Sequence, residues 1–285
     1  GKAYIFYGER AMDNIADIEL RKTDLGGITF GGSVSTAGDV NKDGYDDIIL
    51  NTPVLAVYIN PKSGGTIFEL DIKRKSLNLV NTLTRRFEQY HNKIEPTQGN
   101  RNSDKPKDSH SISSIHDIVG FKEDNLRAYL NYDGYRKAAL IDHFLEKDET
   151  VERFSKGTFL EKGDFIEKPF SFAIKKASTG TDRKACTITL SREASVLSNN
   201  SEIPVILKKS VNLRSNLSAI DFRYEIQNAS GQFLSVNFGV ELNLSLKDPQ
   251  FNEAGKIEDI SNVAFNDMWH NLSIHCELIP KCNLW

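Results

Sequence analysis

The sequence predicts a mainly β protein made of antiparallel strands. Many short segments alternate apolar and polar residues, or run apolar, with β-branched and aromatic enrichment. Turn residues separate these segments, and few stretches have helical periodicity. At 285 residues and 32.0 kDa, the chain is long enough for a large β-domain and a smaller unit. The predicted strands lie within residues 2–8, 47–60, 169–177, 184–192, 203–213, 218–228, 232–246 and 269–279.

Two stretches are candidates for helices. Residues 76–94 place apolar side chains from Leu77 to Phe87 at helix-like spacing, and residues 134–145 predict a shorter second helix. The segment 95–111 between them is polar and rich in Pro, Gly and Ser, which predicts a surface loop. Gly64 and Gly65 stand between two apolar strands, where a tight turn needs positive φ.

Charge and composition exclude several classes of partner. The formal net charge is −3 and the pI is about 6.1, so no basic field exists to hold nucleic acid or an anionic membrane surface. No apolar run approaches the length of a membrane span, and the first residues lack the features of a signal peptide. We therefore interpret the chain as beginning within a longer protein. Cys186, Cys276 and Cys282 have no metal-ligand spacing, so we expect reduced cysteines unless neighbouring strands pair Cys276 with Cys282.

The most specific local motif is an Asp-rich loop. Oxygen-bearing side chains stand at alternate positions of a D-x-N-x-D-G-x-x-D run, as in loops that wrap a calcium ion. An EF-hand is excluded because its Glu position is Leu50 here and the flank has a strand pattern. The alternative is an Asp/Asn/Gly turn without metal, although its carboxylates would repel one another. The predicted calcium ligands are Asp39, Asn41, Asp43, the Tyr45 carbonyl and Asp47.

The residues around this loop resemble one FG-GAP repeat, the unit of integrin-α-type β-propellers. The resemblance rests on "GKAYIFYG" and, after a variable stretch, "FGGSVSTAGDVNKDGYDDIIL", and it covers about the first fifth of the chain. It implies a calcium-binding loop between two strands of a propeller blade. It departs from the repeat where "LNTP" replaces the usual "GAP", and a dockerin would need a second copy with helical flanks. We predict a propeller-blade-like calcium-binding repeat over residues 1–53.

The remaining sequence resembles the C-terminal β-sandwich of family 57 glycoside hydrolases, the 4-α-glucanotransferases and α-amylases. The matching segments are residues 57–94, 114–145 and 237–246 and the terminal "CELIPKCNLW", in the correct order. The resemblance spans about residues 54–285 and implies a large antiparallel galactose-mutarotase-like supersandwich that follows a catalytic barrel. We predict this domain over residues 54–285, truncated at its C-terminus.

Several polar residues are candidates for contact with sugar. Carbohydrate sites use carboxylates and amides for hydroxyl groups, and aromatic faces for the apolar side of the ring. Glu241 and Asn243 lie two apart on a predicted strand and so share a face. The resemblance implies a ligand on the concave sheet face, so Glu241 is the first candidate. Further candidates are His143, Arg86 and His91, and for each residue the alternative is a solvated or ion-paired structural role.

We expect no catalysis from this chain. Glycoside transfer needs two carboxyl groups that flank the scissile bond. The resemblance implies that a barrel supplies both, and 53 residues before the sandwich are too few for a barrel. The first functional hypothesis is therefore a non-catalytic accessory β-sandwich of an α-glucan-processing enzyme, which carries a calcium-binding repeat. The alternative hypothesis is a secreted or surface module that binds carbohydrate or protein.

The sequence leaves two questions about the chain open. It is either a natural fusion or a fragment, and in the full-length protein we expect a catalytic barrel or further propeller repeats. The FG-GAP resemblance favours an extracellular or periplasmic protein, whereas the family 57 resemblance favours a cytoplasmic one. The strand pattern is continuous across residues 47–60, so one strand of the repeat could also be the first of the sandwich.

Overall fold

The computed structural model describes residues 2–5, 18–21, 33–94, 130–176, 185–214, 217–247 and 255–285. The strands are antiparallel throughout, which confirms the predicted mainly β class. In chain order the elements are β1 (Lys2–Ile5), β2 (Ile18–Arg21), β3 (Ser33–Thr36), β4 (Ile48–Asn51), β5 (Leu55–Asn60), β6 (Thr66–Ile72), β7 (Leu77–Asn78), β8 (Ala139–Leu145), α1 (Val151–Ser155), β9 (Ser171–Lys176), β10 (Ala185–Ser198), β11 (Ser201–Arg214), β12 (Ile220–Asn228), β13 (Asn237–Leu242), β14 (Ile257–Asp267) and β15 (Leu272–Leu284), with 3-10 turns at Lys73–Lys75 and Gln89–Ile94.

Two larger sheets share one apolar core. The first has the order β13-β8-β6-β5-β4-β3, with β7 paired to β6, and the second has the order β12-β11-β10-β9. Both sheets contribute fully buried side chains to the same cluster, among them Ile48 and Val57 from the first and Ile188 and Leu207 from the second. Such burial of aliphatic side chains is the main favourable term in folding. The result is a β-sandwich.

β10 and β11 form a long hairpin that is the centre of the second sheet. Their register runs without interruption from Ala185↔Arg214 to Ser198↔Ser201. Asn199 and Asn200 connect them, with φ of 50° and 62°, the conformation that a two-residue type I′ turn requires and asparagine tolerates. Along β11 every second residue from Ile203 onward is buried, as expected for a strand with one face on the core.

Both helix predictions are wrong. Residues 139–145 form β8, and all seven of its residues are buried. A strand covered on both faces has no apolar/polar alternation, so its sequence cannot be told from that of a short helix by periodicity. Within 76–94, the chain instead forms β7, an irregular stretch and a 3-10 turn. Ser76 has φ of 49°, and the Asn78 side chain accepts from the backbone N–H of both Leu70 and Val80, so the helix is interrupted where it would begin.

The first sheet runs across the predicted boundary between residues 53 and 54. β4 and β5, on either side of that point, are hydrogen-bonded neighbours, and β3 pairs with β4 at the sheet edge. Ile48 and Leu50 of β4 belong to the common core. The division into two units remains a prediction. β1 and β2 pair with each other in a separate two-stranded sheet.

The last described segment is a hairpin of β14 and β15, which forms its own two-stranded sheet. All three cysteines lie within the described residues, and none forms a disulfide. Cys276 and Cys282 are both on β15, so neighbouring strands do not bring them together. Among the described residues, no helix has the length and apolar character needed to cross a membrane.

Candidate functional site

A bulge in β8 organises the most polar part of the molecule. Glu241 pairs with Ile141 but the next residue of β13, Leu242, pairs with Ala139, so Leu140 is left over. Its φ is 62°, and its side chain is buried. A bulky residue in this left-handed region is an outlier, and extra residues of this kind re-aim the side chains that follow them. Asp142 and His143 come directly after the bulge and point to opposite faces of the sheet.

On the inner face, Asp142 forms an ion pair with Lys209. The Lys209 ammonium group is fully enclosed and donates to Asp142 Oδ2 at 2.7 Å, the Gly64 carbonyl at 2.7 Å and the Leu140 carbonyl at 2.9 Å. All three of its protons are therefore used. Burial lowers the pKa of Lys209 and raises the pKa of Asp142, since each charge has lost its water. Because Lys209 belongs to β11, this pair joins the two sheets through the core.

The turn before β6 is shaped by the same lysine. Gly64 and Gly65 have φ of 71° and 58°, which confirms the predicted tight turn. A Cβ atom on Gly65 would lie 3.0 Å from Lys209 Cε and 3.2 Å from Leu190 Cδ2. Glycine is therefore required both by the backbone conformation and by the space that the lysine stem occupies.

On the outer face, His143 lies between two carboxylates. Its Nδ1 is 2.9 Å from Glu161 Oε2, and its Nε2 is 3.0 Å from Glu241 Oε2. Both nitrogens face acceptors, so the geometry suits an imidazolium that donates to both. Burial alone would lower the pKa of His143, but the bonds to Glu161 and Glu241 outweigh it and raise the pKa. The side chain is 1% exposed, so the charged ring is held out of water.

Glu241 is the centre of this cluster. Its two oxygens accept from Tyr135 Oη at 2.7 Å, Lys137 Nζ at 2.7 Å, His143 Nε2 at 3.0 Å and Asn243 Nδ2 at 3.0 Å. Burial alone would raise the pKa of Glu241, but these hydrogen bonds, led by the one from His143, lower it to about 2. The carboxylate is therefore ionised, and protein donors satisfy it.

Aromatic side chains cover the cluster. Helix α1 begins after Thr150, whose hydroxyl accepts from the backbone N–H of Arg153 at 3.3 Å. The helix places Phe154 against the His143 ring, with ring centroids 5.2 Å apart. Phe159 stacks on Phe154 at 4.8 Å and also contacts His143 at 5.4 Å. This cover keeps water from the charges and strengthens their attraction.

The structure brings together three of the predicted sugar-binding residues and separates the other two. Glu241, Asn243 and His143 form the polar cluster just described. His91 instead lies against Tyr132, with its Nδ1 3.0 Å from the phenol oxygen, and Arg86 lines a cleft on the sheet. Sugar contact by any of these five residues stays a prediction.

The sequence does not predict five members of the two polar groups, namely Tyr135, Lys137, Asp142, Glu161 and Lys209. Tyr135, Lys137 and Glu161 reach Glu241 or His143 from connecting segments, so strand patterns do not indicate them. For Lys209 a signal existed, because it stands at an inward position of the alternating pattern in β11. A lysine at a core position requires a buried partner.

The Asp-rich loop connects β3 and β4 and is closed by its own hydrogen bonds. Asp47, whose side chain is buried, accepts from the N–H of Val40 at 3.0 Å and of Asn41 at 3.2 Å. Asp39 accepts from the N–H of Asp43 and of Gly44, both at 2.9 Å. Burial, with the negative charges of Asp43 and Asp39 adding to it, raises the pKa of Asp47.

The predicted calcium ligands are thus close together, but their oxygen atoms are engaged in hydrogen bonds within the loop and with Asn60. The side chain of Asn60 donates to Asp43, and the Tyr45 N–H donates to the same carboxylate at 3.0 Å. In the part of the chain that the structure describes, no three His, Cys, Asp or Glu side chains are grouped as metal ligands. A calcium ion would have to replace part of this hydrogen bonding.

Comparison with known proteins identifies the family. The family model described as alpha-amylase/4-alpha-glucanotransferase, C-terminal, matches residues 39–285. The chain belongs to this family. The match begins at Asp39, so the Asp-rich loop and β4 lie within the region that it covers. The single FG-GAP repeat remains a prediction.

Relatives of this alpha-amylase/4-alpha-glucanotransferase C-terminal chain are named as alpha-amylases and 4-alpha-glucanotransferases. It is 30% identical to an alpha-amylase of Pyrococcus abyssi over 250 residues, which cover 87% of this chain and 34% of that protein. It is 29% identical to a 4-alpha-glucanotransferase of Thermococcus kodakarensis, with the same shares covered. The chain therefore spans about a third of the length of these relatives.

A solved structure resembles the fold. The crystal structure of 4-alpha-glucanotransferase from Thermococcus litoralis aligns with a TM-score of 0.67 and 23% sequence identity. The alignment covers 90% of this chain and 33% of that one. The likeness shows that the two chains share a fold.

Proposed function

We propose that this chain acts as the non-catalytic accessory β-sandwich of an α-glucan-processing enzyme. The observation that carries the proposal is the match of residues 39–285 to a C-terminal domain family of alpha-amylases and 4-alpha-glucanotransferases. The relatives are about three times as long as the matched region, which leaves room in them for a separate catalytic domain. On this proposal the sandwich supports such a domain and orients its substrate.

The polar cluster of the outer face supports a non-catalytic role. A glycosidase holds two carboxyl groups on either side of the scissile bond, about 5–9.5 Å apart depending on mechanism. The two carboxylates here, Glu161 and Glu241, are bonded to opposite nitrogens of one buried imidazole. The ring of His143 fills the space between the two carboxylates, so a glycosidic bond cannot enter that space.

The test is an activity assay of the purified chain with maltoheptaose. We expect neither glucose release nor longer glucans above a heat-killed control. Product formation that Glu241→Gln abolishes would contradict the proposal, because it would place catalysis within the sandwich. Activity that persists in this variant and disappears on further purification comes from a contaminating enzyme.

We also propose that the Asp-rich loop binds calcium with modest affinity. Supporting it are the oxygen donors at alternate positions and the mutual repulsion of three carboxylates, Asp39, Asp43 and Asp47, which a cation would relieve. The ion would be held by these side chains together with Asn41 and the Tyr45 carbonyl. Calcium is favoured over magnesium because the smaller ion demands stricter octahedral geometry and keeps its water.

A further inference from the structure

A cleft beside the polar cluster is open to a ligand from solvent, whereas the side chain of Glu241 is mostly buried. Its volume is about 220 Å³, and it lies between the Asp-rich loop, the turn before β6 and the segments around residues 135 and 167. Pockets for drug-sized ligands run from roughly 300 to 1,000 Å³, so this cleft suits a ligand of about one sugar ring. Its charged lining residues are Asp43, Arg86, Arg136 and Glu167.

The charges of the cleft favour a neutral ligand. Two arginines and two acidic residues line it, so in the absence of bound calcium neither an anion nor a cation meets a field of one sign. Groups of both kinds together satisfy hydroxyls, which donate and accept at once. Among its apolar lining residues, Ile166 is partly exposed and can contact the C–H face of a sugar ring, whereas Phe68 and Ile141 are buried.

The walls of the cleft are already held in place. The Arg136 guanidinium lies 5.4 Å from the centroid of the Phe68 ring, and the backbone N–H of Arg136 donates to Glu167 Oε1 at 2.9 Å. On another wall the hydroxyl of Tyr135 donates to Glu241. A preformed site has a smaller conformational-entropy cost of binding than a site that must be ordered by its ligand.

We infer that this cleft binds a single glucose unit of an α-glucan, and that the Glu241 cluster serves as its support through Tyr135. The inference rests on the proposed function for the identity of the sugar. It shifts the site of contact from Glu241, whose oxygens are satisfied internally, to the open side of Tyr135. Arg86, predicted as a sugar contact from the sequence, is then part of the cleft, whereas His143 is not.

The test is a titration of the isotopically labelled chain with maltoheptaose, followed by amide shifts. We expect saturable shifts at Phe68 and Arg136 at millimolar sugar. Arg86→Ala and Glu167→Gln should each weaken binding by about tenfold, because each removes a charged hydrogen-bonding partner. Arg223→Ala, on the exposed β12, is the matched control and should bind as the parent does.

The outcomes separate this inference from the proposed function. Absence of shifts at the cleft, or equal affinity in all variants, would overturn the cleft assignment, whatever the activity assay gives. Larger shifts at the cleft with inorganic phosphate than with maltoheptaose would overturn the assignment of a neutral sugar. Thermal unfolding of each variant identifies any loss of binding that is due to a loss of fold, and the conservative Arg86→Lys variant then replaces Arg86→Ala.

Discussion

At the scale of single residues, the stability of the fold depends on charged side chains at buried positions, where apolar side chains are the usual choice. His143 is enclosed by aromatic rings, and its two ring nitrogens are hydrogen-bonded to two carboxylates. Such a group stabilises the fold only in one protonation state. The stability of the sandwich should therefore depend on pH in a way that can be assigned to His143 and Glu241.

The two groups act at opposite ends of the pH range. The pKa of His143 is raised, so its contribution is complete below the ordinary value of 6.5 and is lost as the pH rises through the raised pKa. The pKa of Glu241 falls from 4.5 to about 2, so its contribution is complete above 4.5 and is lost as the pH falls toward 2. At 1.36 kcal/mol per pKa unit, this carboxylate contributes about 3 kcal/mol.

We therefore predict a maximum in the free energy of unfolding between about pH 4.5 and 6.5 from these two groups. Urea unfolding across a pH series measures it. His143→Gln should lose the decline on the alkaline side, because no imidazolium is left to deprotonate. His275→Gln, in the exposed β14–β15 hairpin, is the control and should keep the decline. An unchanged alkaline decline in His143→Gln would refute the assignment.

At the scale of elements, the loop between β3 and β4 is where a bound ion would act. Its hydrogen bonds hold it closed without metal, and β3 is the edge strand of its sheet. Edge strands and the loops attached to them open more readily than central strands. A stabilising ligand should therefore be detected locally rather than in the core.

We predict that calcium slows amide hydrogen exchange at residues 38–48 and leaves the second sheet unchanged. At a free calcium concentration a hundred times the dissociation constant, the loop would gain about 2.7 kcal/mol. Asp43→Ala should abolish the difference between calcium and chelator, whereas Asp46→Ala, outside the predicted ligands, should keep it. Equal protection with calcium and with chelator would mean that the loop is only a turn.

How far the sequence predicts these elements depends on how their faces are covered. β10 to β12 show alternation or apolar runs in the sequence and were predicted as strands. The sequence of β8 predicts a helix instead, because both faces of this strand are buried and its residues do not alternate. In the polar cluster, Glu241 and Asn243 could be predicted from their spacing in a strand pattern, although Asn243 lies just beyond the end of β13. Tyr135 could not, since its contact with Glu241 spans 106 residues of sequence.

At the scale of the whole molecule, one ion pair crosses the core between the two sheets. Lys209 and Asp142 are 1% and 0% exposed, and they are the charged groups that join β11 to β8. Apolar contacts from both sheets surround them. Such a pair adds less to stability than well-packed apolar residues would, but the loss of one partner leaves a buried charge.

We predict that Lys209→Met destabilises the sandwich by about 3–5 kcal/mol, because Asp142 then lacks its partner. The double variant with Asp142→Leu should recover most of this loss, since no charge is left in the core. Equilibrium urea unfolding gives both values. Lys156→Met, which removes the partner of the exposed Glu152, is the matched control and should cost less than about 1 kcal/mol. A mild effect of Lys209→Met would contradict the prediction.

The order of Asp142 and His143 also fixes how β8 aligns with its neighbours. A strand with apolar residues on both faces could slip by one position without exposing any of them, so its apolar pattern does not define its alignment. In β8 a slip would turn the Asp142 carboxylate toward Glu161 and Glu241, and the His143 imidazolium toward the Lys209 ammonium. Like charges would meet on both faces at once, so the neighbouring acid and base act as a marker of alignment that the apolar residues cannot provide.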